Sequence, residues 1–206
     1  MVAIDRKAHW DNVYTLKGNA NVSWYQREPA LSLELIRSVA PGWQGRIIDV
    51  GGGASVLVDH LLELPFSKIA VLDVSETALG LARNRLGERA GQVEWIVADV
   101  TSAHTIGTFD LWHDRAVFHF LTDSADRKNY VNLARQTVPE GGHLIIATFA
   151  DDGPTRCSDL DVRRYNAETL SAELGAAFLL VREARETHTT PWGSPQSFFY
   201  GVFRRR

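Results

Sequence analysis

The chain has 206 residues, of which 45% are hydrophobic and 23% charged, and its formal net charge is −3 at pH 7. This length fits one domain with a sizeable core, and the composition excludes an intrinsically disordered chain. The weak negative charge argues against a nucleic-acid partner, and the single cysteine excludes an internal disulfide framework and a cysteine metal cluster.

Membrane and export signals are also missing from the sequence. No apolar run approaches the roughly 20 residues of a membrane-spanning helix. Residues 1–7 become charged too early for a secretion signal. We therefore expect a cytoplasmic protein without a membrane partner, present as a monomer or a homodimer.

Apolar periodicity predicts alternating helices and strands. In chain order they are a helix over 29–39, a strand over 46–50, a helix over 55–64, a strand over 68–73, a helix over 76–86, strands over 93–97 and 109–113, a helix over 124–138, a strand over 144–149 and a helix over 166–174. The strands are apolar throughout, which favours a sheet that helices cover on both faces. Ser75 and Asn166 are the expected caps, and Gly175 is the expected stop.

The C-terminal part of the chain has a different pattern. Two long strands, over 178–188 and 197–204, are joined by the turn-rich segment 189–195 and should pair antiparallel. We therefore predict an α/β fold: one doubly wound, Rossmann-like domain over residues 1–206. Its seven-stranded sheet is mostly parallel, with a reversed seventh strand and helices on both faces.

Polar groups at three predicted strand ends indicate a nucleoside site. A glycine-rich turn that opens a helix lets the backbone approach a ligand and exposes amide hydrogens. Asp73 lies about 20 residues past this turn, where a carboxylate can accept both ribose hydroxyls of an adenosine. Asp99 follows the third strand and can accept from the adenine amino group. The predicted set is Gly51, Gly52, Gly53, Asp73, Val74, Asp99 and Val100.

The residue at the sixth position of the glycine motif, counted from Gly51, helps to distinguish between adenosine-containing ligands. A dinucleotide fingerprint requires glycine there, whereas this chain has the β-branched Val56. No Gly-Lys-Ser/Thr follows, so a phosphate loop does not fit either. S-adenosylmethionine, which carries no pyrophosphate, remains the best fit, and we expect no metal ion.

From Arg46 to the C-terminus, the order of these motifs resembles the class I S-adenosylmethionine-dependent methyltransferases. The resemblance implies that Asp49 organises the glycine loop and that Gly51 and Gly53 line the methionine and ribose of the cofactor. It also implies the reversed seventh strand and S-adenosylhomocysteine as the product. One departure is Ala54-Ser55 in place of the last glycine of the loop, which changes the contacts at the methionine end.

A narrower resemblance concerns the N-terminus. His9-Trp10-Asp11 with Tyr14, then Ser23-Trp24-Tyr25, is similar to small methyltransferases related to the eukaryotic protein-lysine group, and Asp114-Arg115-Ala116-Val117 is similar to their Asp-Lys-Gly-Thr stretch. The resemblance implies that residues 1–28 form a lid over a cofactor-binding core of residues 29–206. Trp10, Tyr14 and Trp24 would then contact the cofactor, and Tyr25 the substrate. Alternatively, these aromatic residues only anchor the segment to the core.

Candidate residues for the acceptor side cluster after the fourth strand. Asp114 could face the charged part of the cofactor, deprotonate an amine, or cap the next helix. His113 and His119 are candidate bases, although such histidines are more often packing residues. Arg115 could hold an anionic acceptor or pair with Asp114. Cys157 is a further substrate-side candidate, although a lone cysteine is usually inert.

The leading hypothesis is a methyltransferase with a small-molecule acceptor: a thiol, a metalloid or an amine. A protein-lysine methyltransferase is the first alternative, and a sensor that binds S-adenosylmethionine without catalysis is the second. Val56 and the terminal hairpin disfavour a nicotinamide-dependent oxidoreductase.

Overall fold

The computed structural model describes residues 5–40 and 44–206. Its strands are β1 (Arg46–Val50), β2 (Lys68–Asp73), β3 (Val93–Val97), β4 (Leu111–Arg115), β5 (His143–Phe149), β6 (Arg156–Cys157), β7 (Leu160–Asp161), β8 (Phe178–Thr189) and β9 (Pro195–Arg205). Seven of them form one sheet in the order β3-β2-β1-β4-β5-β9-β8, whereas β6 and β7 form a separate small hairpin.

The direction of the strands matches the predicted topology. β1 to β5 pair with one another in parallel. β9 runs antiparallel to both β5 and β8, so it is the reversed seventh strand of the sheet. The carboxyl ends of β1 to β4 therefore meet at one edge, which is where ligands bind in open α/β sheets.

Within the described residues, six α-helices accompany the sheet: α1 (Arg6–Lys17), α2 (Ala30–Val39), α3 (Leu57–Leu61), α4 (Glu76–Leu86), α5 (Ser124–Thr137) and α6 (Ala167–Leu174). Short 3-10 helices span Gly87–Gln92 and Phe118–Phe120. The predicted caps are confirmed, because the Ser75 side chain accepts from the Ala78 amide and Asn166 forms a capping box with Thr169. Across the described ranges, no helix has the length and apolar character needed to cross a bilayer.

Each face of the sheet packs against its own set of helices. Ile47 lies in a cluster that contains Leu35 of α2 and Leu79 of α4. The next residue, Ile48, lies in the opposite cluster, with Tyr130 of α5 and Leu170 of α6. This alternation follows from the two-residue period of a strand and confirms that helices cover both faces.

Several predicted boundaries were wrong. The fourth strand is Leu111–Arg115 rather than 109–113, because the Phe109 amide donates to Thr137 and the Asp110 carboxylate accepts from the Arg46 amide. α3 begins at Leu57 rather than Ser55, and it ends three residues early. α1 and the two 3-10 helices were not predicted.

A buried hydrogen-bonded chain joins β4 to α5. Trp112 Nε1 donates to the Tyr130 hydroxyl at 2.8 Å, and this hydroxyl donates to Asp114 Oδ2 at 2.6 Å. All three residues are fully buried. Because a buried polar group without a partner is costly, Tyr130 stabilises both of its neighbours.

We predict that Tyr130→Phe lowers the free energy of unfolding by about 1–3 kcal/mol, because it removes the partner of one buried donor and one partner of a buried carboxylate. Chemical denaturation measures the change. Tyr25→Phe is the matched control, since Tyr25 is only partly buried and takes no part in the Trp112–Tyr130–Asp114 chain. Equal stabilities for the two variants would contradict the assigned role of Tyr130.

Candidate functional site

The glycine loop after β1 packs tightly against the carboxyl edge of the sheet. Gly51 and Gly53 have φ angles of +68° and +44°. A Cβ atom on Gly51 would lie 1.9 Å from Val117 Cγ2, and one on Gly53 would lie 2.8 Å from Asp73 Oδ2. Any larger residue would strain the backbone and collide with these neighbours, so both positions require glycine.

Asp73, the last residue of β2, is a buried carboxylate with little compensation. Its Oδ1 accepts from the Ser75 amide at 2.8 Å. Burial raises the pKa of Asp73 to about 7, and the negative charges of Asp49 and Asp11 add to this shift. The carboxylate faces the glycine loop, since a Cβ atom on Gly53 would lie 2.8 Å from Asp73 Oδ2.

Asp99 has the opposite electrostatic character. Partial burial would raise its pKa, but hydrogen bonds from the Thr101 hydroxyl and amide and the charge of Arg6 outweigh burial, and the pKa of Asp99 is lowered. Arg6 Nη1 lies 3.2 Å from Asp99 Oδ2.

Asp99 and Arg6 line an open cleft of about 450 Å³ beside Val74, Val97 and Ala98. The cleft combines apolar walls with a carboxylate, which suits a nucleobase. The predicted Val100 has its side chain in the core instead.

Asp49 and His113 form a buried pair beneath the loop. Asp49 Oδ1 lies 2.7 Å from His113 Nδ1, and His113 Nε2 lies 3.0 Å from the Ser32 hydroxyl. Both ring nitrogens of the predicted base therefore have partners within the chain. The pair fixes the end of β1 to the end of β4.

The next two residues of β4 point to opposite faces. The Asp114 carboxylate accepts from the amides of Val117 and Phe118 as well as from Tyr130. Burial raises the pKa of Asp114 to about 6. Its contacts are those of a cap for the following turn, and Arg115 does not pair with it. Arg115 lines a second, narrow cavity of about 50 Å³, together with Tyr14, Tyr25, Ser32, Gly51, Gly52 and His113.

His119 and Cys157 are both buried. His119 Nδ1 accepts from the Phe149 amide at 3.2 Å, and burial lowers the pKa of His119 to about 3, with a smaller contribution from the charge of Arg115. Cys157 Sγ lies 3.6 Å from the Ser23 hydroxyl, and burial raises the pKa of the thiol. Near neutral pH, His119 is therefore neutral and Cys157 protonated.

Aromatic residues of the N-terminal segment pack beside the glycine loop. Trp10 packs edge-to-face on Trp24 and Phe120, with ring centroids 5.6 and 5.0 Å apart. Trp24 Nε1 donates to the Tyr14 hydroxyl at 3.3 Å, and this hydroxyl would lie 3.2 Å from a Cβ on Gly53. Residues 1–4 of the predicted lid lie outside the described residues.

Three polar residues around the site were not predicted. Arg6 binds Asp99 and Asp126, Asp11 accepts from the Ser75 hydroxyl at 2.7 Å, and Ser32 contacts His113. Asp11 belongs to the N-terminal motif His9-Trp10-Asp11, so this motif was itself a signal of the contact. No sequence signal pointed to Arg6 or Ser32, because their partners lie more than 80 residues away along the chain.

For metal binding, the described residues contain no cluster of three or more His, Cys, Asp or Glu side chains that could ligate an ion. The glycine loop, the Asp73 carboxylate and the cleft beside Asp99 do fit an adenosine-containing cofactor. They form a continuous edge of the sheet, from the end of β1 to the end of β3.

This fold and this edge define a methyltransferase scaffold, and the sequence comparison agrees. The Methyltransferase domain family matches residues 48–144, which include the glycine loop, Asp73 and Asp99. This match supports the assignment of the chain to the class I S-adenosylmethionine-dependent methyltransferase superfamily. It also supports binding of S-adenosylmethionine or S-adenosylhomocysteine.

Among individual relatives, the chain is 28% identical over 70% of its length to Nodulation protein S of Sinorhizobium fredii. It is 26% identical over 77% of its length to the ubiquinone biosynthesis O-methyltransferase of Ralstonia nicotianae. The matches span 64% and 60% of these relatives, less than two thirds of either.

A solved structure has the same fold. The N-methyltransferase NodS from Bradyrhizobium japonicum, in complex with S-adenosylhomocysteine, superimposes with a TM-score of 0.73 at 19% identity, covering 95% of this chain and 97% of NodS.

We predict that Asp73→Asn raises the free energy of unfolding of the ligand-free protein by about 1–3 kcal/mol at pH 8. The folded pKa of Asp73 is about 7, against an ordinary value of 3.8. From about pH 4 to pH 7 the folded state thus binds more protons than the unfolded state, and stability falls as the pH rises. Asparagine cannot ionise and avoids this cost, so the gain should disappear near pH 4.

Asp99→Asn is the matched control, because the pKa of Asp99 is lowered and its ionised form is stabilised. This variant should be less stable than the wild type at pH 8. Denaturation curves at several pH values measure both effects. A loss of stability in Asp73→Asn at pH 8 would contradict the raised pKa of Asp73 and the cost of its ionised form at that pH.

Proposed function

We propose that this chain transfers a methyl group from S-adenosylmethionine to a small-molecule acceptor, releasing S-adenosylhomocysteine. The observation that carries the proposal is the position of Asp73. Its undercompensated carboxylate faces the glycine loop at Gly53, on the same sheet edge as the cleft beside Asp99. Ribose, base and methionine of one cofactor would lie along this edge.

We assign the cofactor contacts accordingly. Asp73 would accept the ribose hydroxyls, while Asp99 and Val74 would bind the adenine. Asp49, Gly51, Gly52 and Gly53 would shape the methionine end. Trp10, Tyr14 and Trp24 would cover it as a lid. The side chains of Val100 and Asp114 are buried in other contacts, so we assign these two residues main-chain contacts only.

Bound S-adenosylmethionine supplies an electrophilic methyl group on a sulfonium. The task of the chain is then to align the acceptor with this methyl group and to exclude water. The narrow cavity and the aromatic residues of the N-terminal segment suit this task, since aromatic faces also attract a sulfonium. The proposal assigns no role to a metal ion.

The candidate bases influence which acceptor we propose. His113 has partners on both ring nitrogens, and the Asp114 carboxylate accepts three hydrogen bonds. His119 has its pKa lowered by burial, so it is a weak proton acceptor. These environments favour acceptors that need no strong base: thiols, metalloids and neutral amines.

A small molecule is favoured over a protein lysine by the name of the ubiquinone biosynthesis relative. That relative is an O-methyltransferase and the structural neighbour NodS an N-methyltransferase, so the atom that this chain methylates does not follow from them.

We predict that the wild-type protein binds S-adenosylmethionine and S-adenosylhomocysteine in isothermal titration, and does not bind NAD. Asp73→Ala should weaken cofactor binding by about 1–3 kcal/mol, because charge-assisted hydrogen bonds to the ribose are lost. Glu63→Gln is the control, since Glu63 is an exposed carboxylate paired with Arg89.

Unchanged affinity in Asp73→Ala would remove Asp73 from the cofactor site, and a folded wild-type protein that binds neither ligand would refute the proposal. Labelled methyl donor with thiols, metalloids, amines and lysate then tests the acceptor. Labelling of a lysate protein alone would favour the lysine alternative. Binding without any turnover would favour a sensor.

A further inference from the structure

We infer that the Arg115 guanidinium forms a carboxylate-binding subsite in the narrow cavity. The inference rests on the proposed function and extends it to the chemistry of the bound molecules. Two carboxylates can reach such a cavity in a methyltransferase: the amino-acid end of the cofactor and an acidic group of the acceptor. The subsite is the same in both cases.

Arg115 is held rigidly on two sides. Its Nε donates to the Tyr200 hydroxyl at 2.9 Å, and Nη1 donates to the Trp24 carbonyl oxygen at 3.0 Å. The guanidinium lies over the Phe198 ring, 4.3 Å from its centroid. The side chain is 10% exposed. A buried arginine fixed in this way is preorganised, so little rotational freedom is lost when it binds an anion.

The remaining nitrogen, Nη2, has no hydrogen-bond partner within residues 5–40 and 44–206. Nη2 forms a salt bridge with Glu186 Oε2 at 3.6 Å, a distance longer than a hydrogen bond. Glu186 has other partners, because Oε2 accepts from the Tyr200 hydroxyl at 2.9 Å and Oε1 accepts from Gln26 at 3.0 Å. A buried guanidinium with two unused N–H groups is a strong donor to an oxyanion.

Arg115 is also the cationic side chain of this cavity. The other polar side chains on its wall include the hydroxyls of Tyr25 and Ser32 and the His113 ring, which is paired with Asp49. The pKa of His188 is lowered by burial and by the charge of Arg115, so His188 does not compete for an anion at neutral pH. Arg115 is therefore the group of this wall that carries a positive charge at neutral pH, whereas Asp49 on the same wall is paired with His113.

The first experiment compares S-adenosylhomocysteine with 5′-methylthioadenosine, which keeps the nucleoside and thioether but lacks the amino-acid carboxylate. If Arg115 binds the carboxylate of the cofactor, Arg115→Gln should weaken the binding of S-adenosylhomocysteine at least tenfold in isothermal titration. The affinity for 5′-methylthioadenosine should stay unchanged. Arg115→Lys should give an intermediate loss, because it keeps the charge and loses the planar fork.

The second experiment titrates wild-type protein saturated with S-adenosylhomocysteine. Benzoate and 3-mercaptopropanoate are compared with their neutral amides. If Arg115 binds the acceptor, each acid should bind at least tenfold more tightly than its amide, and Arg115→Gln should abolish the difference. Either loss supports the subsite and identifies the source of its carboxylate.

Glu186→Gln tests the same subsite without removing a buried cation. It takes away the negative charge nearest Nη2, so the preference for a carboxylate ligand over its neutral counterpart should increase at least twofold in one of the two comparisons. Circular dichroism verifies that each variant is folded.

The inference is overturned if Arg115→Gln leaves both preferences unchanged. If that variant does not fold, unchanged preferences in Glu186→Gln overturn it. Failure of the folded wild type to bind S-adenosylhomocysteine and 5′-methylthioadenosine would be a different result, since it would refute the proposed function itself.

Discussion

The site is organised around buried negative charge at the carboxyl edge of the sheet. Asp49, Asp73 and Asp114 are 3%, 7% and 0% exposed, and each ends or nearly ends a parallel strand. A carboxylate taken out of water is strongly unfavourable unless hydrogen bonds or a cation compensate it. Asp49 obtains this compensation from His113, and Asp114 from two amides and Tyr130. Much of the surrounding structure, including the turn after β4 and the packing of α5, provides these partners.

Asp73 accepts fewer hydrogen bonds than Asp114, and its pKa is raised further, to about 7 against about 6. Gly53 of the glycine loop lies beside the Asp73 carboxylate and contributes no side chain there, since a Cβ atom on it would lie 2.8 Å from Asp73 Oδ2. The Tyr14 hydroxyl has its own pKa raised by burial and by the charge of Asp73. A site that keeps an undercompensated carboxylate loses stability in the free state and gains it when a ligand brings hydroxyl donors. This trade-off is what we expect where binding, rather than folding, determines the residue type.

Much of the fold could be predicted because its signals are local. Apolar runs, the Asn166 cap and the Gly175 stop each depend on neighbouring residues, and the strand order follows from βαβ connections and the terminal hairpin. α1 could not be found in this way, since only Val13 and Tyr14 of it are buried and its apolar pattern is weak. It is positioned by distant polar contacts, such as those of Arg6 with Asp99 and Asp126. No short-range pattern encodes such contacts.

The sequence indicated which residues of β1 to β3 lie at the candidate site, but it did not indicate the direction of the side chains at the end of β4. The cause was a two-residue error in the predicted boundary of β4. A strand that ended at His113 left Asp114 and Arg115 in a loop, with no rule for the direction of their side chains. In the structure β4 continues to Arg115, which pairs with Ala147 of β5. The two-residue period then places Trp112 and Asp114 against α5, and His113 and Arg115 toward the narrow cavity. One face of β4 therefore stabilises the domain, and the other presents the groups available to ligands. This division makes Arg115, rather than Asp114, the charged residue of β4 that faces the cavity.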